Sequence, residues 1–350
     1  MSPIRRTIKK LLGEEPHSRA TGVRPFFVCG HPRSGTHWVS ALLNLHPRIY
    51  CDGEFHFHLL RNGMDAFESQ AWYVASREPV RAEAEAAFRD LVLRCLAAQA
   101  RRPDSADGAV GGPLGGGKRG AIHVGDHTPR MLRVIIPPPE GRYIVIFRDG
   151  RDVLVSWTFH LLKTSRPDIM HADVRPIFER SLAGLGDSAD SARAAAAALL
   201  GDRAWIEHFA AAWSDHTAHD LATLARLEGE GRGDSLLRID YETLHADTER
   251  ERARLYSFLG ADPSEAAPLS RENNTAAGFG RDAPRAFFRK GEVGDWRNYL
   301  TDESHGWFLD RAGSSLRDLK YDMSPARCVP SAVNSATVIA SHITTLKERV

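Results

Sequence analysis

The sequence predicts an α/β fold: a parallel central sheet flanked by helices, with further helical insertions. Three observations carry that prediction. Short apolar runs of β-forming residues each lead directly into a helix-spaced stretch, and this alternation recurs three times. In addition, 350 residues with 42% hydrophobic and 26% charged side chains fit one large α/β domain with insertions, or two small domains. Strands alternating with helices pair in parallel and are covered on both faces.

Residues 1–24 read as an N-terminal extension. Its opening, MSPIRRTIKKLLGEEP, is basic and has no signal-peptide core, and no run of about 18 apolar residues occurs anywhere, so a cytoplasmic protein is expected. Residues 4–12 read as a solvated basic helix rather than a membrane dock. The first unit is a strand over 25–29 (PFFVC), the turn GHPRSGT and a helix through WVSALLNL. In the second, Tyr143 to Phe147 form a strand and Asp152 to Leu162 a helix. The third strand, Ser235 to Ile239, precedes a helix through YETLHADTERERARLYSFLG that closes at Gly260. Residues 25–322 are expected to form one domain with two interruptions. One, 101–120, is a surface loop with seven glycines and two prolines; the other, 166–232, holds alanine-rich helices around Trp205 and Trp213. Residues 323–350 are a tail to which no function is assigned.

A formal net charge of +1 argues against a general nucleic-acid or membrane-surface binder. Cys29, Cys51, Cys95 and Cys328 are scattered without CxxC pairs, so neither a disulfide framework nor a zinc knuckle is expected. His56 and His58 would share one face of a strand, but no third ligand at metal spacing accompanies them, and no metal site is assigned.

The turn Gly30-His31-Pro32-Arg33-Ser34-Gly35-Thr36 lies between strand and helix. Backbone N–H groups there, with the helix N-terminus, make a nest for a phosphate-like anion. Its glycine spacing approaches a Walker loop, yet Thr36 follows Gly35 where ATP-dependent phosphoryl transfer needs a lysine. Arg33 supplies the cation from within the loop. The turn is built for an anion and poorly built for magnesium-ATP.

A second anion site is offered by RDGRDVLVS. Arg148 leaves the strand end, Asp152 is suited to cap the next helix, and Ser156 would lie one turn further on the same face. An arginine and a hydroxyl so placed grip a second phosphate; alternatively, Arg148 simply pairs with Asp149 or Asp152. A third cluster, FRKGEVGDW over 288–296, combines the charges of Arg289 and Lys290 with close turns at Gly291 and Gly294. In isolation it would be a solvated turn.

Together these segments resemble the family of sulfotransferases that use 3′-phosphoadenosine 5′-phosphosulfate (PAPS), in order and in spacing. HPRSGTHW is similar to the family's 5′-phosphosulfate loop, RDGRDVLVS to its 3′-phosphate motif, RKGEVGDW to its C-terminal RKGxxGDW segment, and Ile239-Asp240-Tyr241-Glu242 to a structural strand end. The resemblance covers roughly residues 25–60, 120–162 and 235–300. It implies a P-loop-like sulfotransferase fold and sulfuryl transfer from PAPS to an acceptor hydroxyl or amine, with no metal required. It also implies Arg33, Ser34, Gly35, Thr36, His37 and Trp38 around the donor's 5′ side. Arg148, Ser156, Arg289, Lys290 and Gly291 would surround its 3′-phosphate. Trp38 would pack on adenine or, alternatively, anchor its helix to the core; Phe279 is the candidate for the other adenine face.

In-line sulfuryl transfer needs cations at the leaving oxygen, a base for the acceptor proton and exclusion of water. Arg33 is expected at the leaving phosphate. Two residues compete for the base. Glu54 matches a Glu of the tyrosylprotein and carbohydrate branches, and would need a pKa raised by partial burial. His127, in GDHTPR, matches the histidine of hormone-type members and suits either a base or an electrophilic helper with a pKa near 6.5. Glu54 as base with His127 as helper is favoured, and a surface carboxylate and a core-bonded histidine remain the plainer alternatives. The Glu-containing branches lean the acceptor toward a carbohydrate or another bulky hydroxyl. Two rival functions stand beside this one: a P-loop small-molecule kinase, and a catalytically inactive nucleotide-binding protein.

Overall fold

The computed structural model describes residues 22–69, 77–101, 118, 120–135, 141–270 and 291–324. In chain order the strands and α-helices are β1 (Arg24–Gly30), α1 (Thr36–Leu43), β2 (Ile49–Gly53), α2 (Phe57–Glu68), α3 (Arg77–Ala100), β3 (His123–Thr128), β4 (Arg142–Phe147), α4 (Gly150–Thr164), α5 (Arg175–Ala183), α6 (Ala189–Leu200), α7 (Arg203–Gly229), β5 (Leu236–Asp240), α8 (Tyr241–Ala246), α9 (Thr248–Leu259) and α10 (Asp302–Asp318). Most of the expected loop 101–120, and Phe279, Arg289, Lys290 and the tail beyond Ser324, lie outside the described residues. Among the described residues no helix is long and apolar enough to cross a membrane.

The chain divides into two compact units, residues up to 147 with 219–276, and residues 148–218 with those from 277 on. The first holds the five-stranded sheet, in the order β2-β3-β1-β4-β5, with every pairing parallel. Phe26 to Cys29 of β1 and Tyr143 to Phe147 of β4 are buried throughout. That is why these strands read as unbroken apolar runs, since a central parallel strand is covered on both faces. From β1 the chain first crosses to the edge strand β2, returns to place β3 between them, and then passes to β4 and β5 on the other side, so the carboxyl end of β1 is a switch point, where α/β proteins bind ligands. The helix expected through Gly260 is two helices. Asp247 interrupts it with an extended φ of −143°, and its carboxylate caps α9 by accepting the Arg250 N–H at 3.2 Å.

In the second unit α4 begins two residues earlier than expected, and its cap is Asp149 rather than Asp152. The Asp149 carboxylate accepts the Arg151 N–H at 2.9 Å. Buried Asp152 instead accepts the backbone N–H groups of Gly294 and Trp296 at 2.7 and 2.9 Å, tying that late segment to the start of α4. Arg151, 1% exposed, binds Asp149 with both ends of its fork, lies 4.1 Å over the Trp296 ring and donates to the Asp322 carbonyl at 2.7 Å. Of the two tryptophans in the alanine-rich segment, Trp205 donates its indole N–H to Thr158 at 3.0 Å, and Trp213 covers Gly150 so closely that no β-carbon fits there.

His123 enters β3 fully buried, and burial, with Arg24 and Arg142 nearby, pushes its imidazole down to about 4. An unfolded histidine titrates near 6.5, so between these values the unfolded chain binds the extra proton and stability falls as pH falls. His123 alone should cost about 2 kcal/mol on going from pH 7 to pH 5. Urea unfolding at the two pH values measures this loss, and His123→Gln should shrink it; an equal loss in the variant would contradict the assignment.

Candidate active site

The anion loop follows β1 as expected. Gly35 caps α1 from the left-handed region at φ 106°, and Arg33 shares that region at φ 73°. Alternating handedness turns successive N–H groups toward one concavity. A β-carbon on Gly35 would sit 2.8 Å from the Tyr241 ring, so no other residue fits. Ser34 donates its N–H to the His31 carbonyl at 3.0 Å, and its hydroxyl is 1% exposed with no protein partner. Leaving such a group unbonded costs about 1–3 kcal/mol, which an anionic oxygen in the loop would recover. Thr36, also buried, opens α1. Nest, Arg33, helix N-terminus and orphaned hydroxyl together fit a phosphate or sulfate ester.

Trp38 is 2% exposed, and its ring packs edge-on against Tyr241 at 5.3 Å. That supports the helix-anchoring role rather than the adenine platform.

Glu54 follows the last residue of β2, and His127 stands on the adjacent strand β3. Parallel register sets Gly53 beside His127, and the Glu54 N–H continues the ladder by donating to the His127 carbonyl at 3.1 Å. The imidazole lies over Gly53 where a β-carbon would collide with the ring. His127 Nδ1 lies 3.0 Å from the Asp52 carbonyl and Nε2 3.0 Å from His37 Nδ1. His37 Nε2 is 3.5 Å from Glu54 Oε1, and His56 Nε2 is 3.6 Å from Oε2. The raised carboxyl pKa expected of Glu54 is corrected: the bond from His37 outweighs burial and holds it below the usual value. His127 departs from 6.5 as well, because burial first and His37 second push it down to about 4. At neutral pH this cluster holds a carboxylate and a neutral His127.

His56 and His58 do not lie on a strand. His56 is left-handed at φ 53° and His58 is in the first turn of α2, their rings 5.5 Å apart edge to face. His37, Glu54 and His127 offer atoms within 4.8 Å of one another, a spacing that would admit a metal ion, but the three are hydrogen-bonded among themselves.

Sequence reasoning missed two parts. It named His37 only as a donor ligand and did not foresee its place between Glu54 and His127. It passed over Asp126, 2% exposed and pushed up to about 6 by burial, whose carboxylate accepts the Phe55 N–H at 3.3 Å and the Thr128 hydroxyl. Strand alternation carried that signal, since residues 126 and 128 share the face opposite 127.

In the second unit, Arg148 is buried at the head of α4 and donates to the Glu292 carbonyl at 3.1 Å. Asp149 pairs with Arg151, at 2.7 Å. Ser156 lies on α4, half-buried, and Gly291 stands at the start of the segment that Asp152 holds, in the left-handed region at φ 70°.

Fold and site define an α/β transferase that handles an anionic ester at the carboxyl end of its sheet. A family model described as the sulfotransferase family matches residues 25–207, and one described as the sulfotransferase domain matches residues 126–319. The chain belongs to the sulfotransferase family, whose members move a sulfuryl group to an acceptor. Comparison with curated protein sequences finds no match. Solved structures similar to it include the sulfotransferase domain of the Synechococcus PCC 7002 olefin synthase, at 14% identity over 86% of this chain and 96% of that one, TM-score 0.44. A mouse sulfotransferase complexed with PAP is 17% identical over 92% of this chain and 89% of its own, TM-score 0.41. A retinol dehydratase in complex with androsterone and PAP is 16% identical over 84% and 81%, TM-score 0.40. The family assignment rests on the two family models. The expected lean toward a carbohydrate acceptor finds no support among these proteins.

Gly53→Ala should push a methyl group into the His127 ring. Overpacking of this kind costs about 1–3 kcal/mol, readable as a lower urea midpoint, and misplacement by about 1 Å should slow transfer on the order of 100-fold. A variant with the parent's rate would show that His127 is not held by this contact.

Proposed function

We propose that the chain transfers a sulfuryl group from PAPS to an acceptor hydroxyl or amine by in-line displacement, with Glu54 as the base. The observation that carries this is the buried, unbonded hydroxyl of Ser34 within the left-handed turn of Arg33 and Gly35. When bound, PAPS supplies an activated sulfuryl group on a phosphate leaving group. Arg33, the loop N–H groups, Ser34 and Thr36 neutralise charge on the leaving phosphate. Arg148 and Ser156, with Arg289, Lys290 and Gly291, hold the 3′-phosphate, the feature that separates this donor from ATP. The absence of a lysine after Gly35 argues against the kinase alternative. Both ring nitrogens of His127 are engaged, by Asp52 and His37, which favours Glu54 as the proton acceptor and leaves His127 to position.

Calorimetric titration with 3′-phosphoadenosine 5′-phosphate (PAP), beside ATP plus magnesium, tests the reading. PAP should bind, and Arg33→Ala should weaken it roughly 10- to 100-fold, as loss of charge-assisted bonds implies. Arg148→Ala should weaken PAP but leave 5′-AMP unchanged. Binding of magnesium-ATP without PAP would replace this function with the kinase.

A further inference from the structure

We propose that Asp152 is a positioning residue for the donor's 3′-phosphate, clasping the segment from Gly291 to Trp296 onto the head of α4. This rests on the donor assigned above. Four charged side chains, Arg148, Asp149, Arg151 and Asp152, stand at that helix end, each less than a tenth exposed. Two of them satisfy each other, because Asp149 caps the helix and takes the Arg151 fork. Asp152 therefore needs other donors, since a buried carboxylate without partners is costly. It finds them far along the chain. One oxygen accepts the Gly294 N–H at 2.7 Å, the other the Trp296 N–H at 2.9 Å.

The segment is shaped to be held in this way. Gly294 is left-handed at φ 77°, where glycine is favoured, and a β-carbon there would lie 2.7 Å from the Arg297 guanidinium. Trp296 is fully buried, 4.1 Å from the Arg151 guanidinium and stacked on His305 at 4.9 Å, which anchors the far end. Nearer the start, the Glu292 carbonyl accepts from Arg148 at 3.1 Å. Arg148 and Asp152, four residues apart, thus grip the segment at Glu292 and again at Gly294 and Trp296. Gly291 adjoins Glu292, so the carboxylate that fixes the segment also fixes Gly291 relative to Arg148, the two described residues on either side of the proposed phosphate. A binding site works when its groups are held within about 0.5 Å of the productive geometry. Asp152 does not touch the phosphate; its charge is taken up by the two amides and by Arg148. Burial, resisted by Arg148, pushes its carboxyl up to about 7, so at pH 8 it is mostly ionised.

The test is calorimetric titration of the full chain at pH 8 with PAP and with 5′-AMP, which lacks the 3′-phosphate. Asp152→Asn leaves one acceptor oxygen and sets an amide donor against the second backbone N–H. It should weaken PAP about tenfold or more, as loss of a charge-assisted bond implies, and leave 5′-AMP within about twofold. Hydrogen exchange at the Gly294 and Trp296 amides should quicken in the same variant, and unchanged exchange there overturns the clasp. Should Asp152→Asn fail to fold, Gly294→Ala carries the test at the partly exposed end of the clasp. Strain at its positive φ should weaken PAP about fivefold and leave 5′-AMP unchanged. In a folded variant, equal losses for both ligands, or no loss of PAP, would make Asp152 merely structural and overturn the clasp alone. No binding of PAP by the unaltered chain would overturn the donor reading and the clasp with it.

Discussion

In the parallel pairing of β2 with β3, Gly53 stands beside His127, and the imidazole occupies the space a β-carbon would need. Most of the site follows from that contact. With its ring seated on bare backbone, His127 reaches the Asp52 carbonyl with one nitrogen and His37 with the other. His37 in turn comes from the first turn of α1, whose start is fixed by the anion loop. One strand register thus couples the glycine-containing loop after β1 to the carboxylate of Glu54.

The backbone around this cluster is held under strain. Five described non-glycine residues have positive φ, and three of them, Arg33, Glu54 and His56, belong to the loop or the carboxylate turn. Each costs about 1–3 kcal/mol and persists only where the surroundings impose it. Here the surroundings are identifiable: the Glu54 N–H is tied to β3, and the Phe55 N–H to buried Asp126. The result is a carboxylate aimed by main-chain bonds on both sides, a firmer mounting than a free rotamer provides.

The fold was legible because β1, β4 and β5 are apolar runs leading directly into helices, and the anion loop because glycine and arginine spacing is a backbone property written in residue types. β2 and β3 were harder to read. IYCDG and HVGDHT are short and polar, and their pairing is set by register rather than by pattern. The bridge through His37 depends on that register and on two ring orientations, neither of which leaves a trace in spacing. The pKa of Glu54 was misjudged for the same reason: burial alone raises it, and only the position of His37 reverses the sign. In α4 the choice of Asp149 over Asp152 as cap turned on a partner more than 140 residues away, the amides of Gly294 and Trp296.

Connectivity has a consequence for the chain as it leaves the ribosome. β1 to β4 are all synthesised by Phe147, but β5, which closes the β4 side of the sheet, begins only at Leu236. At typical elongation rates that interval is on the order of ten seconds. Throughout it, the apolar strand RYIVIF presents an unpaired edge, the kind of surface that recruits other strands. Until Leu236 to Asp240 arrive, that edge has only its β1 side to pair with, and mispairing competes with the native register.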